Sequence, residues 1–264
     1  MMLPTLPTVP VEVNRAATAE LRKIIAVRSG RLLPPILATV GFVVATASAV
    51  QGSGPQPHEA LATGTATVGL YLAIVVAVGA AAICGAIGAG DEYRYRSIGV
   101  TALFTSDRDL LFGAKTGVAA LYSLALAACA ELGALVALVA FGRGSVEFGW
   151  RLTGVFAGGL LAAVCWGVIG VGLGLLLRSP NLAVVAIAGW LFILEPLIWL
   201  VAKGAGIAGV VVLLPGSATI GTVAIGSFPD SSYLPPNAAS AVVLVIWTGL
   251  AGTAGWWYLR SRDI

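Results

Sequence analysis

Charge is what this chain has least of. Its 264 residues carry 15 Lys+Arg and 12 Asp+Glu, 10% of the total against 58% hydrophobic, with a mean hydropathy of +0.96. A soluble domain runs near ~25% charged because its core needs a solvated shell, so a soluble globular fold is excluded. Disorder falls on the same numbers, and 34 glycines without a Gly-X-Y period exclude collagen. The three cysteines, Cys84, Cys129 and Cys165, lie in separate apolar runs. That odd number gives neither a disulfide framework nor a metal site, and packing is their expected role. The single histidine, His58, has only Glu59 beside it, too few ligands for a metal. Ser, His and Asp are nowhere assembled as a triad. The nearest thing to a P-loop, Gly113-Ala114-Lys115-Thr116, lacks the Gly-Lys step and runs into an apolar segment. The chain is therefore not expected to be catalytic by itself.

Long uncharged runs are abundant instead. They fall at about 32–50, 62–90, 114–141, 152–177, 182–202 and 238–259, each at least about as long as the ~20 residues that a helix needs to cross ~30 Å of hydrocarbon. The expected fold is an all-α polytopic membrane protein, a single transmembrane domain of six spans. A seventh apolar stretch, Gly204 to Phe228, is broken by Pro215-Gly216. With six spans and a cytoplasmic N-terminus, twelve of the fifteen basic residues fall on the inner side, and only Arg143, Arg151 and Lys203 fall outside. A seventh span would move Arg260 and Arg262 outward and worsen the split. The positive-inside rule thus favours six spans, both termini cytoplasmic and 204–237 as an outer re-entrant segment. Trp256, Trp257 and Tyr258 on one side and Trp150 on the other suit the two interfaces. A cleaved signal peptide is a poor reading of the first run, since 31 residues precede it.

Two charged pieces lie outside the runs. In 15–29, Ala17, Leu21, Ile24 and Ile25 share a helical face while Arg15, Arg22 and Lys23 lie elsewhere. Asn14 is the expected cap and Ser29-Gly30 the expected stop of an interfacial helix; the alternative is a plain basic anchor. The stretch 91–108 joins the second and third spans and is dense in charge of both signs. Asp91 and Glu92 precede Arg94 and Arg96, an order that suits a helix start, and Tyr93, Leu103 and Phe104 add apolar anchors before Arg108. Such an element would offer charges and aromatic edges to a cytoplasmic partner.

In their order these features resemble the type-2 ABC transporter permease family. Its pattern is a Glu-x-Arg leaving the second span (Glu92, Arg94), a turn with Ser97, then Leu103, and Arg108 and Lys115 leading into the third span. Six spans, a basic N-terminal helix, a Pro-broken segment before the last span and the ending Arg260-Ser261-Arg262-Asp263-Ile264 also match, so the resemblance covers essentially the whole chain. Ser106 stands where many members carry proline. The resemblance implies the membrane half of an exporter in the bacterial inner membrane. The helix 91–108 would dock into a separate P-loop ATPase subunit, with Glu92, Tyr93, Arg94, Arg96, Leu103, Phe104 and Arg108 as coupling residues. The N-terminal helix, with Arg15, Leu21, Arg22, Lys23 and Ile24, would touch the ATPase too. A second permease completes the unit. ATP and Mg would belong to the ATPase, this chain would hold no cofactor or metal, and no nucleic-acid partner is implied. The class leads to the expectation of a hydrophobic or amphipathic cargo.

Two acids remain inside the runs. Glu131 and Glu195 must face the bundle interior, a partner helix or water. They would line a translocation path or gate, or fix helix packing; Pro196 also removes a hydrogen bond and kinks its helix. Small residues at close-packing spacing, Gly154/Gly158, Gly170/Gly174 and Gly249/Gly252/Gly255, point to tight helix contacts or a dimer seam. Two other readings stand beside the exporter: a proton-coupled carrier built on Glu131 and Glu195, and a membrane anchor that recruits a cytoplasmic partner.

Overall fold

A computed structural model describes residues 10–52, 64–95, 107–142, 146, 148–225, 227, 234 and 236–261. Among these the chain is all-helical, with no strand. Helix α1 spans Val11–Ala26, α2 Arg28–Gln51, α3 Val68–Arg94 after a 3-10 turn at Thr65–Thr67, and α4 Arg108–Phe141. Helix α5 spans Trp150–Leu177, and α6 (Pro180–Gly189) continues through a π turn (Trp190–Leu194) into α7 (Glu195–Ala205). A 3-10 stretch (Ala208–Leu213), the short α8 (Pro215–Val223) and α9 (Asn237–Ser261) complete the chain. Six helical units are long and apolar enough to cross a membrane: α2, Thr65–Arg94, α4, α5, Pro180–Ala205 and α9. This is the pattern of a multi-pass membrane protein.

Helix α5 is the hub, packing against α3, α4, α8 and α9. It approaches α3 so closely that a Cβ on Gly85 would stand 2.1 Å from the Gly167 carbonyl oxygen, and one on Gly170 2.2 Å from that of Ala82. Bare Cα atoms on both helices let the backbones meet, which drives helix association where lipid removes the hydrophobic incentive. The Gly154/Gly158 and Gly170/Gly174 pairs are used within the chain: Gly158 lies against Thr222 of α8 and Gly174 against Ala86 of α3.

Helix α1 differs at both ends from the sequence expectation. It is entered from Pro10, whose extended backbone (φ −51°, ψ 137°) precedes the first helical residue, so Asn14 lies inside the first turn instead of capping it. It stops at Val27, in an extended conformation, and Ser29-Gly30 already belong to α2. Prolines 34 and 35 then sit inside α2. Pro34 has no N–H for the Gly30 carbonyl, and the Tyr122 hydroxyl of α4 donates to that oxygen instead at 2.8 Å. At Pro34 a neighbouring helix thus replaces the missing donor.

The stretch 91–108 also departs from expectation. Asp91 and Glu92 do not open a helix: α3 carries on through Arg94, so the acids lie in its last turn. The next helix starts with Asp107, whose side chain accepts from the Asp109 N–H at 2.8 Å, and Arg108 opens α4. Arg96, Ser97, Leu103 and Phe104 lie outside the described residues.

Candidate functional site

Two polar assemblies stand out from the apolar bundle, one at the end where α3 stops and α4 starts, the other within it. The first joins three helices. Lys115, on the second turn of α4, is 4% exposed, and its Nζ lies 2.9 Å from Glu20 of α1 and 2.9 Å from Glu92 of α3. Lys23 of α1 reaches the same two carboxylates at 2.6 and 2.5 Å. Two acids and two ammonium groups thus alternate with no net charge. Burial alone would push the Glu20 carboxyl up, but Lys115 and Lys23 outweigh it and hold the group below its ordinary value. Burial would likewise lower Lys23; the hydrogen bonds to Glu20 and Glu92 reverse that and raise it.

Glu20 and Ile24 point toward the bundle, whereas Leu21 and Ile25 are exposed with Arg15 and Arg22. Among the coupling candidates, Glu92 is buried and not displayed, Tyr93 is half-buried, and Arg94 is exposed, with its guanidinium over Tyr95. Arg108 donates to the carbonyls of Leu259 and Arg260, bracing the end of α9 against α4. Arg178, which ends α5 in a left-handed conformation (φ 51°), lays its guanidinium over Tyr93 and Tyr258. The ends of α3, α5 and α9 are thereby joined by cation–π contact.

The second assembly surrounds Glu195. Pro196 cannot donate to the Phe192 carbonyl, and the helix widens ahead of it, with the Glu195 N–H bonding back to the Trp190 carbonyl across the π turn. Oε2 of Glu195 accepts from the Gly216 N–H at 3.0 Å and Trp190 Nε1 at 3.1 Å; Oε1 accepts from the Ser217 N–H at 2.6 Å and its hydroxyl at 3.3 Å. These amides open α8, so a carboxylate from one segment caps the helix of another, where the dipole favours negative charge. A Cβ on Gly216 would lie 2.5 Å from Glu195 Oε1, so a larger residue there would displace the carboxylate from its cap. Trp199 donates to the Ser217 hydroxyl, Trp166 to Thr219 and Trp247 to the Leu213 carbonyl, each within 3.0 Å. Trp247 lies ten residues into α9, roughly 15 Å along it at 1.5 Å per residue, so the start of α8 sits deep in the bundle.

The chain matches no family model, no curated protein and no solved structure. Its own geometry therefore carries the functional reading.

Glu131 is unlike either assembly. It lies on the inward face of α4, 4% exposed, and its Oε1 has no hydrogen-bond partner among the described residues. That oxygen packs on Gly159 of α5, where a Cβ would stand 2.1 Å away, beside Ile74 of α3. An orphaned buried oxygen contributes nothing to stability, and replacing it with an apolar group of similar shape is close to neutral or favourable. We expect Glu131→Met to change the unfolding free energy by less than about 1 kcal/mol, measured by thermal unfolding in detergent. A loss of several kcal/mol would instead reveal a polar partner. The three cysteines remain unpaired, and no group of His, Cys, Asp and Glu among the described residues could hold a metal.

Sequence reasoning named Glu92, Lys23 and Lys115 separately and passed over Glu20. The signal was an acid on the face of α1 opposite Arg15 and Arg22, where an uncompensated charge would need a cation across from it. Trp166, Trp190, Trp199 and Trp247 also went unnoticed. A carboxylate before proline, followed some twenty residues later by Pro-Gly-Ser, was the available hint of a remote cap.

Proposed function

We propose that the chain is the transmembrane permease subunit of an ATP-driven exporter, moving a hydrophobic or amphipathic cargo outward by alternating access. The order of motifs described above supports the reading. The observation that carries it is the Glu20–Lys23–Glu92–Lys115 cluster. It fastens α1 to the two helices that flank residues 95–107, so a push on that segment is delivered to α1, α3 and α4 as one body and not lost in a loose loop. The pushing partner is a separate P-loop ATPase, which binds ATP and Mg. A second permease, identical or related, supplies the other half of the path. In this arrangement α1 lies along the inner interface, with Leu21 and Ile25 toward lipid and Arg15 and Arg22 toward headgroups. Both termini are cytoplasmic, the membrane is the bacterial inner membrane, and 204–237 is an outer re-entrant segment built around the half-helix α8.

The proton-coupled alternative narrows to Glu131. Glu195 is occupied as a helix cap, whereas Glu131 has an oxygen to spare.

Co-expression with candidate P-loop ATPases, followed by affinity purification, tests the proposal. Wild type should retain the ATPase, and Arg94→Glu, which alters an exposed side chain, should reduce retention by at least about tenfold, or 1.4 kcal/mol, with the permease itself still folded. Full retention together with undiminished ATP-driven transport would sink the coupling assignment. Cargo movement driven by a pH gradient in proteoliposomes without ATPase, abolished by Glu131→Gln, would favour the carrier.

A further inference from the structure

We propose that the groove between α4, α5 and α9 is a binding site for one phospholipid, with an acyl chain in the groove and the phosphate at its arginine-bearing end. This inference rests on membrane residence alone and not on the exporter reading.

Helices α4 and α9 both pack on α5 but scarcely on each other. The gap between them is a groove of ≈ 530 Å³ with Val168 of α5 as part of its floor. Glycines on α9 keep it open. Gly255 spends its missing side chain on contact, since a Cβ there would lie 2.9 Å from Gly172. Gly249 does not: a Cβ there meets nothing within 4 Å, and one on Gly252 reaches only Val168 and Phe112, at 3.8 and 4.0 Å. The small residues at 249 and 252 therefore make room for something other than a helix of this chain.

The walls are apolar beyond what their residue types suggest. Thr248 and Thr253 line the groove, but their hydroxyls donate to the Leu244 and Gly249 carbonyls of their own helix at 2.8 and 2.7 Å. The α9 wall thus asks for no hydrogen-bonding groups, while the Thr116 hydroxyl of α4, buried in the lining without a hydrogen-bond partner among the described residues, is the polar exception.

One end is polar. Trp256 closes it, donating from Nε1 to Asp109 at 2.7 Å, and the Arg260 guanidinium stands over the Trp256 ring. Arg260 and Asp109 are only loosely paired at 3.8 Å, and both side chains are more than half exposed. Arg108 is held at the same end by the carbonyls of residues 259 and 260. Arg108 and Arg260 stand there beside Asp107 and Asp109, and the two guanidinium groups have the planar form that suits phosphate. A tryptophan beside arginines is also what the headgroup level of a bilayer selects.

Length decides between occupants. From Val245 to Trp256 the groove runs about 16 Å along α9 at 1.5 Å per residue, roughly half of the ~30 Å hydrocarbon core. A helix from a second copy would run the full thickness. An acyl chain of one leaflet ends at the middle, with its phosphate at the arginines. A free anion would leave the apolar part empty.

The test uses the full chain, delipidated in mild detergent and titrated with phosphatidylglycerol or with diacylglycerol of the same chains, with bound copies read by native mass spectrometry. One phosphatidylglycerol should bind, at least about tenfold tighter than diacylglycerol. Gly249→Phe, which projects into open space, should abolish binding, whereas Gly249→Ala should keep it. Arg260→Gln should bring the two lipids within about threefold of one another. Equal lipid retention by Gly249→Phe and wild type would overturn the site, as would equal affinity of wild type for the two lipids. So would a wild-type dimer that Gly249→Phe splits, since a second copy would then fill the groove. None of these readouts needs an ATPase, so failure of the exporter proposal leaves them unaffected.

Discussion

Replacing Lys115 with methionine should lower the unfolding free energy by about 3–5 kcal/mol, the usual cost of removing one member of a buried ion pair. The loss follows from what stays behind. Of the two ammonium groups, Glu20 and Glu92 would keep Lys23, whose side chain is 44% exposed and whose field is screened by solvent. Thermal unfolding in detergent should show a midpoint lower by roughly 10 °C. Adding Glu92→Gln to Lys115→Met removes the excess negative charge and leaves the Glu20–Lys23 pair, so the double variant should recover about 1–3 kcal/mol of the loss. Failure to recover would mean that Lys115 acts through packing and not through charge. The cluster also fixes a pH window. Glu20 is depressed on folding, so its contribution is complete above its ordinary 4.5 and disappears as pH falls through the lower folded value. Lys23 is raised, so its contribution is complete below 10.5 and disappears as pH rises through the higher folded value. Stability should be flat between those limits and fall outside them, and Glu20→Gln should flatten the acid limb.

The other large effect is expected at Glu195. In Glu195→Ala the Gly216 and Ser217 amides and the Trp190 indole all lose their acceptor. Each buried donor left unsatisfied costs about 1–3 kcal/mol, so the start of α8 should be destabilised by about 3–9 kcal/mol. This opening is local, so hydrogen exchange at 215–223 should report it before global unfolding does. Tryptophan emission should shift to the red as Trp190 and Trp199 lose their buried partners. Glu195→Gln keeps one carbonyl oxygen but turns an N–H₂ toward other donors, and should recover less than half of the loss. Unchanged amide protection in Glu195→Ala would show that α8 is held by its packing on α5 and α9 alone.

The spans were legible because a membrane imposes one strong rule: long uncharged runs must be helices. Five of the six runs lie wholly within helices that the structure builds, the second starts ahead of its helical unit at Thr65, and the helices overshoot the runs at most other ends because Arg28, Asp91, Arg94 and Arg108 extend them beyond the apolar part. The polar contacts were less legible, because they join residues far apart in sequence. Glu92 and Lys115 could be read as surface charges while the chain was a line; only the turn-by-turn alignment of α1, α3 and α4 brings them together in the interior. Glu195 was located as an acid inside a span, but its partners come from a segment 21 and 22 residues later. Helix boundaries failed for local reasons: Asn14 has a capping side chain, yet Pro10 upstream already supplies the extended entry.

The π turn at Trp190–Leu194 can be viewed as a rotational spacer. One residue in an α-helix turns the chain by about 100°, and the wide turn holds one more residue than an α turn. Deleting a single residue from 190–194 would leave α7 in nearly its present phase, whereas forcing all five residues into α-helical geometry would swing it by about that angle. Glu195 would then leave the α8 amides for the lipid-facing side, and Phe192 or Ile193, now 79% and 66% exposed, would turn toward the bundle. The phase of this helix, more than the identity of any one of its side chains, keeps α8 capped.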